Sequence, residues 1–141
     1  MSLTHVPAEV RRQLAQEAGG RCGYCLSDET LSGVPLSIDH LNPEAAGGQT
    51  VVDNLWLACR PCNESKGAQT GAIDPATGEF VPLFNPRQQE WAAHFRWGEG
   101  GAEIIGLTPC GRATVGALHL NRPILVKARR RWINAGWHPP G

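Results

Sequence analysis

The sequence lacks any long hydrophobic run, since no stretch of 18 consecutive apolar residues occurs in its 141 residues. This absence argues against a transmembrane helix, which needs about 20 such residues to cross a bilayer. The first residues also lack the apolar core of a secretory signal peptide. From these two absences we expect a cytoplasmic protein.

Net charge is also missing, because 13 basic residues balance 13 acidic ones. Total charge therefore gives no argument for binding to nucleic acid. The charges are unevenly distributed, with −3 over residues 1–70 and +3 over residues 71–141. From Ile104 onward there are six basic residues and no acidic one. The C-terminal half is therefore the part that could face an anion.

The composition is that of one small globular domain. Apolar residues make up 41% of the chain, enough for one modest core, which argues against disorder or a fibre. The 17 glycines and 11 prolines make up about a fifth of the residues, above average usage. We therefore expect a loop-rich domain.

Four of the five cysteines form two C-x-x-C pairs, Cys22 with Cys25 and Cys59 with Cys62. Two such turns can aim four thiolates at one ion, the arrangement of a structural zinc site. Two alternatives are weaker. Disulfides need an oxidising compartment, and the first residues show no secretory signal peptide. A thioredoxin-like redox site needs a single C-x-x-C pair, whereas this sequence has two. The 33 residues between the pairs predict an element inserted between the two turns. The fifth cysteine, Cys110, is expected to be a small buried apolar residue.

Apolar spacing and turn residues predict an α+β chain. A helix is expected at residues 7–18, and short strands at 36–40 and 54–57, followed by a helix that starts near Asn63. A hairpin is expected at 71–84, and Asn85 with Pro86 predicts a helix whose apolar face is Trp91, Phe95 and Trp97. The rest of the prediction is a strand at 104–107, a helix capped by Thr108 and Pro109, and a helix at 121–134. Trp91, Phe95, Trp97 and Trp132 are expected in the core.

Four polar residues lie between or beside the cysteine pairs: Asp39, His40, Asn54 and Asn63. A strand that carries Asp39 and His40 presents the two side chains on opposite faces or at a bend, so one can bind a metal while the other faces a substrate. A zinc turn just before Asn63 fixes the start of a helix and aims that side chain. This pattern is typical of a small site built from a metal and a base on a rigid support.

Residues 21–67 resemble the HNH endonucleases with a zinc-supported ββα-metal fold. The resemblance covers about a third of the chain. The motifs that carry it are Cys22-x-x-Cys25, Ile38-Asp39-His40-Leu41-x-Pro43, Gly47-Gly48, Asn54-Leu55 and Cys59-x-x-Cys62-Asn63-x-x-Lys66-Gly67. The fold it implies is a small α+β protein, in which a ββα-metal module is clamped by a four-cysteine zinc site and flanked by helices and a hairpin.

The resemblance also implies roles. His40 matches the general base, for which an imidazole is suited because it exchanges protons near neutral pH. Asp39 and Asn63 match the ligands of a catalytic divalent ion, Mg²⁺ or Mn²⁺. Asn54 matches the middle residue, which braces the loop and orients the histidine. The chain departs from the family pattern at Asn63, where an asparagine replaces the last histidine, and an amide oxygen favours Mg²⁺ or Mn²⁺ over zinc. The implied products are a 5′-phosphate and a 3′-hydroxyl.

DNA is the partner that the resemblance implies. The residues expected to contact it are Lys66, Lys127, Arg129, Arg130 and Arg131. The basic run from Lys127 to Arg131 has two other interpretations, a solvated helix face and pairing with the acidic N-terminal half.

The whole chain, residues 1–141, is interpreted as a single HNH endonuclease domain. Its parts are an N-terminal helix at 1–19, the zinc and ββα-metal core at 20–70, and a C-terminal hairpin with helices at 71–141. A homodimer is possible, since a double-strand break made by one small site needs two copies or two visits. The alternatives are a zinc-stabilised nucleic-acid-binding or protein-binding module without catalysis, favoured by the zero net charge, and a toxin or effector nuclease with an immunity partner.

Overall fold

The structure, a computed structural model, describes residues 5–140 and divides into two compact units. The N-terminal unit comprises Met1–Thr70 and Asn85–Gln88, and the C-terminal unit comprises Gly71–Phe84 and Gln89–Gly141. Within the described range, no helix has the length and apolar character needed to cross a membrane.

The N-terminal unit begins with helix α1, Ala8–Ala18, as its apolar spacing predicts. Leu14 on this helix is fully buried in a core cluster with Leu55 and Leu57. Gly19 ends the helix in a left-handed conformation, with φ of 63°, which glycine adopts without steric cost. Helix α1 is therefore fixed against the strand that carries the two leucines.

The centre of this unit is a ββα arrangement. Strands β1 (Ser37–His40) and β2 (Leu55–Ala58) pair antiparallel, and helix α3 (Arg60–Lys66) follows β2 and contacts β1. The predicted order of two short strands and a helix is therefore confirmed. The remaining short elements are helix α2 (Glu29–Ser32) and the 3-10 turns Glu44–Ala46 and Val52–Asn54.

The segment Asn85–Gln88 belongs to this unit because of the contacts of Arg87. The Arg87 guanidinium donates to both carboxylate oxygens of Glu17, at 2.9 and 3.1 Å, and to the carbonyl of Leu55 at 3.0 Å. It also lies 5.0 Å from the centre of the Trp56 ring, within the range of a cation–π contact.

The C-terminal unit begins with the predicted hairpin, strands β3 (Gly71–Ile73) and β4 (Phe80–Pro82). Asp74 at the turn is fully buried and accepts two hydrogen bonds of 2.9 Å from the Arg112 guanidinium. These bonds hold the pKa of the Asp74 carboxyl well below its usual range. Asp74 also accepts the backbone N–H of Ala76 at 3.1 Å, so one buried carboxylate holds the turn together.

The predicted helix beginning at Asn85 is wrong. The Asn85 side chain does cap a turn, accepting the backbone N–H of Arg87 and of Gln88, but the turn ends there. Helix α4 is limited to Trp91–His94, and the chain continues as strand β5, Phe95–Gly98. On β5 Phe95 is buried and its neighbour Arg96 is exposed, as expected where successive side chains point to opposite faces of a strand.

Strand β5 pairs antiparallel with β6, Glu103–Gly106, within one residue of the predicted strand. Of the four aromatic residues expected in the core, Phe95 and Trp132 are confirmed there, while Trp91 and Trp97 are half-buried. Trp91 lies 5.2 Å from both Phe95 and Trp97, measured between ring centres.

Two helices complete the C-terminal unit. Helix α5, Pro109–Ala117, begins as predicted, with the Thr108 hydroxyl accepting the N–H of Gly111 at 3.0 Å. Helix α6, Pro123–Asn134, starts two residues after the predicted position because Pro123 takes its first turn.

Candidate functional site

The two C-x-x-C turns bring their four sulfur atoms together. The Sγ atoms of Cys22, Cys25, Cys59 and Cys62 all lie within 4.8 Å of one another, and those of Cys25 and Cys59 are 3.6 Å apart. Zinc–sulfur bonds of about 2.3 Å in a tetrahedron place sulfurs about 3.8 Å apart. The cluster therefore fits a zinc ion, with one pair from the turn after α1 and one from the start of α3.

Polar groups of the protein contact two of the four sulfur atoms. The backbone N–H of Tyr24 donates to Cys22 Sγ at 3.4 Å, and the Cys25 sulfur lies 3.1 Å from the Ser27 hydroxyl. Burial raises the pKa of the Cys22 thiol, whereas hydrogen bonds with the neighbouring thiols lower the pKa of Cys25. Zinc binds thiolates, so loading this cluster releases protons.

Strand β1 separates the side chains of Asp39 and His40. Asp39 is 2% exposed and lies opposite Trp56 in the β1–β2 register, while His40 is half-buried. Successive side chains on a strand point to opposite faces. The two residues therefore present their side chains to different surroundings, as the sequence predicts.

Asp39 sits in a buried polar cluster. Its Oδ1 atom lies 2.9 Å from the Lys66 ammonium, and its Oδ2 atom accepts a hydrogen bond from the Tyr24 hydroxyl. Both side chains of the Asp39–Lys66 ion pair are nearly inaccessible, at 2% and 3% exposure. Burial, together with the charge of Asp39, raises the pKa of Tyr24 well above its usual value, so Tyr24 stays a hydrogen-bond donor.

Lys66 is thus an interior residue. Besides Asp39, its ammonium donates to the carbonyl of His40 at 2.7 Å and approaches that of Leu41 at 3.4 Å. In this conformation it presents no surface to a phosphate, so Lys66 is not among the DNA contacts that we propose below.

Asn63 reaches strand β1 from helix α3. Its side-chain Nδ2 donates to the carbonyl of Ile38 at 3.0 Å, one residue before Asp39. The amide oxygen of Asn63 is the side-chain atom left for another partner. The structure therefore brings Asn63 to the strand that carries Asp39 and His40.

His40 is held at one ring nitrogen. Its Nε2 atom lies 2.9 Å from the Thr50 hydroxyl and 3.7 Å from a Glu44 carboxylate oxygen. The other ring nitrogen, Nδ1, is the one that a water molecule could approach. The sequence analysis missed both partners. The spacing of four residues between His40 and Glu44 is a signal that could have revealed Glu44, whereas no motif marks Thr50.

Asn54 braces the loop between the strands. Its Oδ1 accepts the backbone N–H of Asn42 at 2.8 Å, and its Nδ2 donates to the carbonyls of Asn42 at 3.0 Å and of Gln49 at 2.8 Å. Glycine at position 48 allows the backbone there to lie close to the backbone of Asn42, since a Cβ atom on residue 48 would lie 1.7 Å from the Asn42 carbonyl oxygen. The loop so fixed leads directly into Thr50, the partner of His40.

The basic run on α6 divides into inward and outward residues. Arg129 is fully buried and donates to the carbonyls of Leu120 at 2.7 Å and Ala102 at 3.1 Å. This burial leaves Arg129 no surface for a phosphate, so it is also not among the proposed contacts. The outward, exposed residues of the run are Lys127, Arg130 and Arg131.

Two C-x-x-C turns, a strand with Asp39 and His40, and a helix with Asn63 define an HNH-type module. Residues 22–69 match the family model for the HNH endonuclease. The family resemblance is therefore confirmed for this segment, about a third of the chain.

The chain is similar to the CRISPR-associated endonuclease Cas9 of Corynebacterium diphtheriae, with 39% identity over 64 residues. The match covers 45% of this chain and 6% of that protein, so it concerns a small part of the relative's length. No solved structure matches the chain.

Proposed function

We propose that this protein hydrolyses phosphodiester bonds in DNA, with His40 as general base and a divalent ion held by Asp39 and Asn63. The observation that supports the proposal is that all three residues lie within the matched HNH segment, and that the Asn63 side chain on α3 donates to the Ile38 carbonyl on β1, the strand that carries Asp39 and His40. The similarity to a Cas9 endonuclease supports DNA as the substrate.

His40 removes a proton from the attacking water in this proposal. The hydrogen bond between Nε2 and the Thr50 hydroxyl fixes the ring, and Nδ1 then accepts the proton. For Nδ1 to accept a proton, Nε2 must carry the ring hydrogen and donate it to the Thr50 hydroxyl oxygen. Asn54 contributes indirectly, because it holds the loop that presents Thr50.

The donor set near Asp39 fits a hard divalent cation. A carboxylate from Asp39, an amide oxygen from Asn63 and nearby backbone carbonyls are the ligands that Mg²⁺ and Mn²⁺ prefer. When bound, such an ion polarises the scissile phosphate and offsets charge on the leaving oxygen. Asp39 and Asn63 would hold such an ion, and a zinc ion on the four cysteines would keep strand and helix together.

Exposed basic residues on α6 are the DNA contacts that we propose. Lys127, Arg130 and Arg131 are exposed, and none of them has an ion-pair partner among the described residues. Unpaired surface cations release counterions when they meet phosphates, which favours binding without sequence preference. A homodimer would let two such sites cut both strands.

A non-catalytic zinc-stabilised binding module is the second candidate. It is favoured by the state of Asp39, whose two carboxylate oxygens are both bonded to protein groups. Such a module would bind DNA with the same basic residues and cut nothing.

Nicking of supercoiled plasmid, with Mg²⁺ or Mn²⁺ and with EDTA, separates the two candidates. We expect the wild type to nick only with metal and His40→Asn to lose at least about 100-fold in rate, since a general base contributes about 10²–10⁴-fold. The matched control is His119→Asn, which removes an exposed histidine at a φ of 50° that asparagine tolerates. Equal nicking by wild type and His40→Asn would show that His40 is not the base.

A further inference from the structure

The ammonium group of Lys66 lies in a pocket of oxygen acceptors beside Asp39. This group lies among three oxygens, Asp39 Oδ1 at 2.9 Å, the His40 carbonyl at 2.7 Å and the Leu41 carbonyl at 3.4 Å. The side chain is 3% exposed, so protein oxygens surround the charge almost completely. An all-oxygen cradle around a positive charge is also how proteins hold hard metal ions.

The two partners of the Asp39 carboxylate differ in freedom. Tyr24 is fully buried and stands between Cys22 and Cys25, so the zinc turn fixes its hydroxyl against Oδ2. Lys66 is the last residue of α3 and carries a flexible four-carbon side chain. If a metal ion approaches this carboxylate, Lys66 is the partner that can leave.

Electrostatic repulsion prevents the Lys66 ammonium and a divalent ion from binding the Asp39 carboxylate at the same time. A buried carboxylate without a positive partner is costly, which explains why the lysine is drawn inside. An ammonium and a divalent ion on the same carboxylate oxygen would repel strongly at a site with little water. One cation at a time therefore satisfies Asp39.

We propose that Lys66 is an internal stand-in for the divalent ion, held at Asp39 in the metal-free protein and displaced when metal binds. The inference rests on the proposed function, in that it takes Asp39 as a ligand of the metal. It assigns Lys66 the role of a positioning residue: it keeps the carboxylate in place until the metal arrives, and it lowers metal affinity by competing for the same carboxylate oxygen.

Competition of this kind is measurable without DNA. Isothermal titration of the zinc-loaded full-length protein with Mn²⁺ should give a dissociation constant about tenfold lower for Lys66→Met than for wild type, a size common for coupled binding. The control Arg60→Gln removes an exposed positive charge from the same helix and should leave the constant unchanged. Asp39→Asn should abolish this binding.

A second measurement needs no variant at Lys66. The chain has two lysines, Lys66 and the exposed Lys127, and reductive methylation with mass spectrometry reports each separately. Lys66 should be protected without metal and become reactive with saturating Mg²⁺, while Lys127 reacts equally in both states.

The outcomes distinguish the two proposals. If Asp39→Asn abolishes Mn²⁺ binding but Lys66→Met binds no more tightly than wild type, the exchange is refuted and the metal site stands. If Lys66 stays protected with saturating Mg²⁺, the exchange is refuted as well. If Asp39→Asn binds Mn²⁺ like the wild type, the metal site of the proposed function fails, and the exchange fails with it.

Discussion

At the scale of single residues, the orientation of the His40 ring depends on one hydrogen bond. The Thr50 hydroxyl lies 2.9 Å from Nε2, while Glu44, at 3.7 Å, is too far for a good hydrogen bond. Thr50 in turn follows the loop that Asn54 braces. A residue outside the family motif therefore sets the geometry of the proposed base.

Replacing Thr50 by valine tests this role. We expect Thr50→Val to lower the nicking rate by about tenfold or more, because a free imidazole spends less time in the productive orientation. Thr50→Ser keeps the hydroxyl and should restore most of the rate. The measurement is single-turnover nicking, with substrate affinity and melting temperature followed alongside.

The matched control is Thr70→Val, which makes the same change at an exposed threonine. A purely structural role for Thr50 would lower the melting temperature of Thr50→Val and leave its rate per folded molecule unchanged. That result would remove Thr50 from the proposed site.

The residues of the site differ in how far sequence could predict them. The roles proposed for Asp39, His40 and Asn63 come from the family resemblance, through motifs that are visible in the sequence. The burial of Lys66 against Asp39 joins residues 27 positions apart, and no local pattern encodes that contact. Arg129 lies in a basic run typical of a surface, yet its helix turns it toward interior carbonyls.

At the scale of elements, the four-cysteine cluster joins the turn after α1 to the start of α3. The strands β1 and β2 lie between these two turns in the chain, so one metal ion would tie together all parts of the ββα arrangement. Helices as short as α3, with seven residues, are not stable alone in water. The position of Asn63 therefore depends on this clamp.

Removing one ligand tests the clamp. We expect Cys59→Ser to lose bound zinc and the cooperative unfolding of the N-terminal unit, since structural zinc contributes folding free energy directly. Zinc content by mass spectrometry and thermal unfolding by circular dichroism measure both effects. In the wild type, zinc should be released as the pH falls, because protons compete for the thiolates.

Cys110→Ser is the control for this change, because Cys110 lies outside the cluster. It should keep its zinc and its unfolding transition. Wild-type stability in Cys59→Ser, or equal zinc loss in both variants, would contradict the clamp.

Element prediction succeeded where caps and turns are local, as for α1, the ββα order and α5. It was wrong after Asn85, where a good cap and the spacing of Trp91 and Phe95 favoured a helix. Pairing of β5 with β6 decided the conformation instead. Such pairing depends on residues later in the chain, and local propensity does not record it.

At the scale of the whole molecule, charge is divided between the two units. By composition the N-terminal unit carries −2 and the C-terminal unit +2. The HNH segment itself therefore attracts DNA poorly, and binding strength is expected from the C-terminal unit. The assignment of all 141 residues to a single HNH domain stays a prediction.

Salt dependence measures this division. Replacing Lys127, Arg130 and Arg131 together by glutamine should weaken DNA binding and lower the slope of log K against log salt by about 2.7, at about 0.9 for each phosphate contact. Fluorescence anisotropy with a short duplex, at several salt concentrations, gives the slope.

The control replaces three exposed arginines of the N-terminal unit by glutamine, Arg11, Arg12 and Arg60. This variant has the same net charge change and should keep nearly the wild-type slope. Equal slopes for the two triple variants would remove α6 from the DNA interface.

The central claim is hydrolysis of DNA by the HNH segment, and the ends of a nick test it most directly. Plasmid nicked by the wild type with Mg²⁺ should be resealed by DNA ligase, which requires a 5′-phosphate and a 3′-hydroxyl at the break. His40→Asn should leave the plasmid supercoiled under the same conditions. Nicks that ligase cannot reseal, or equal nicking by His40→Asn, would contradict the account.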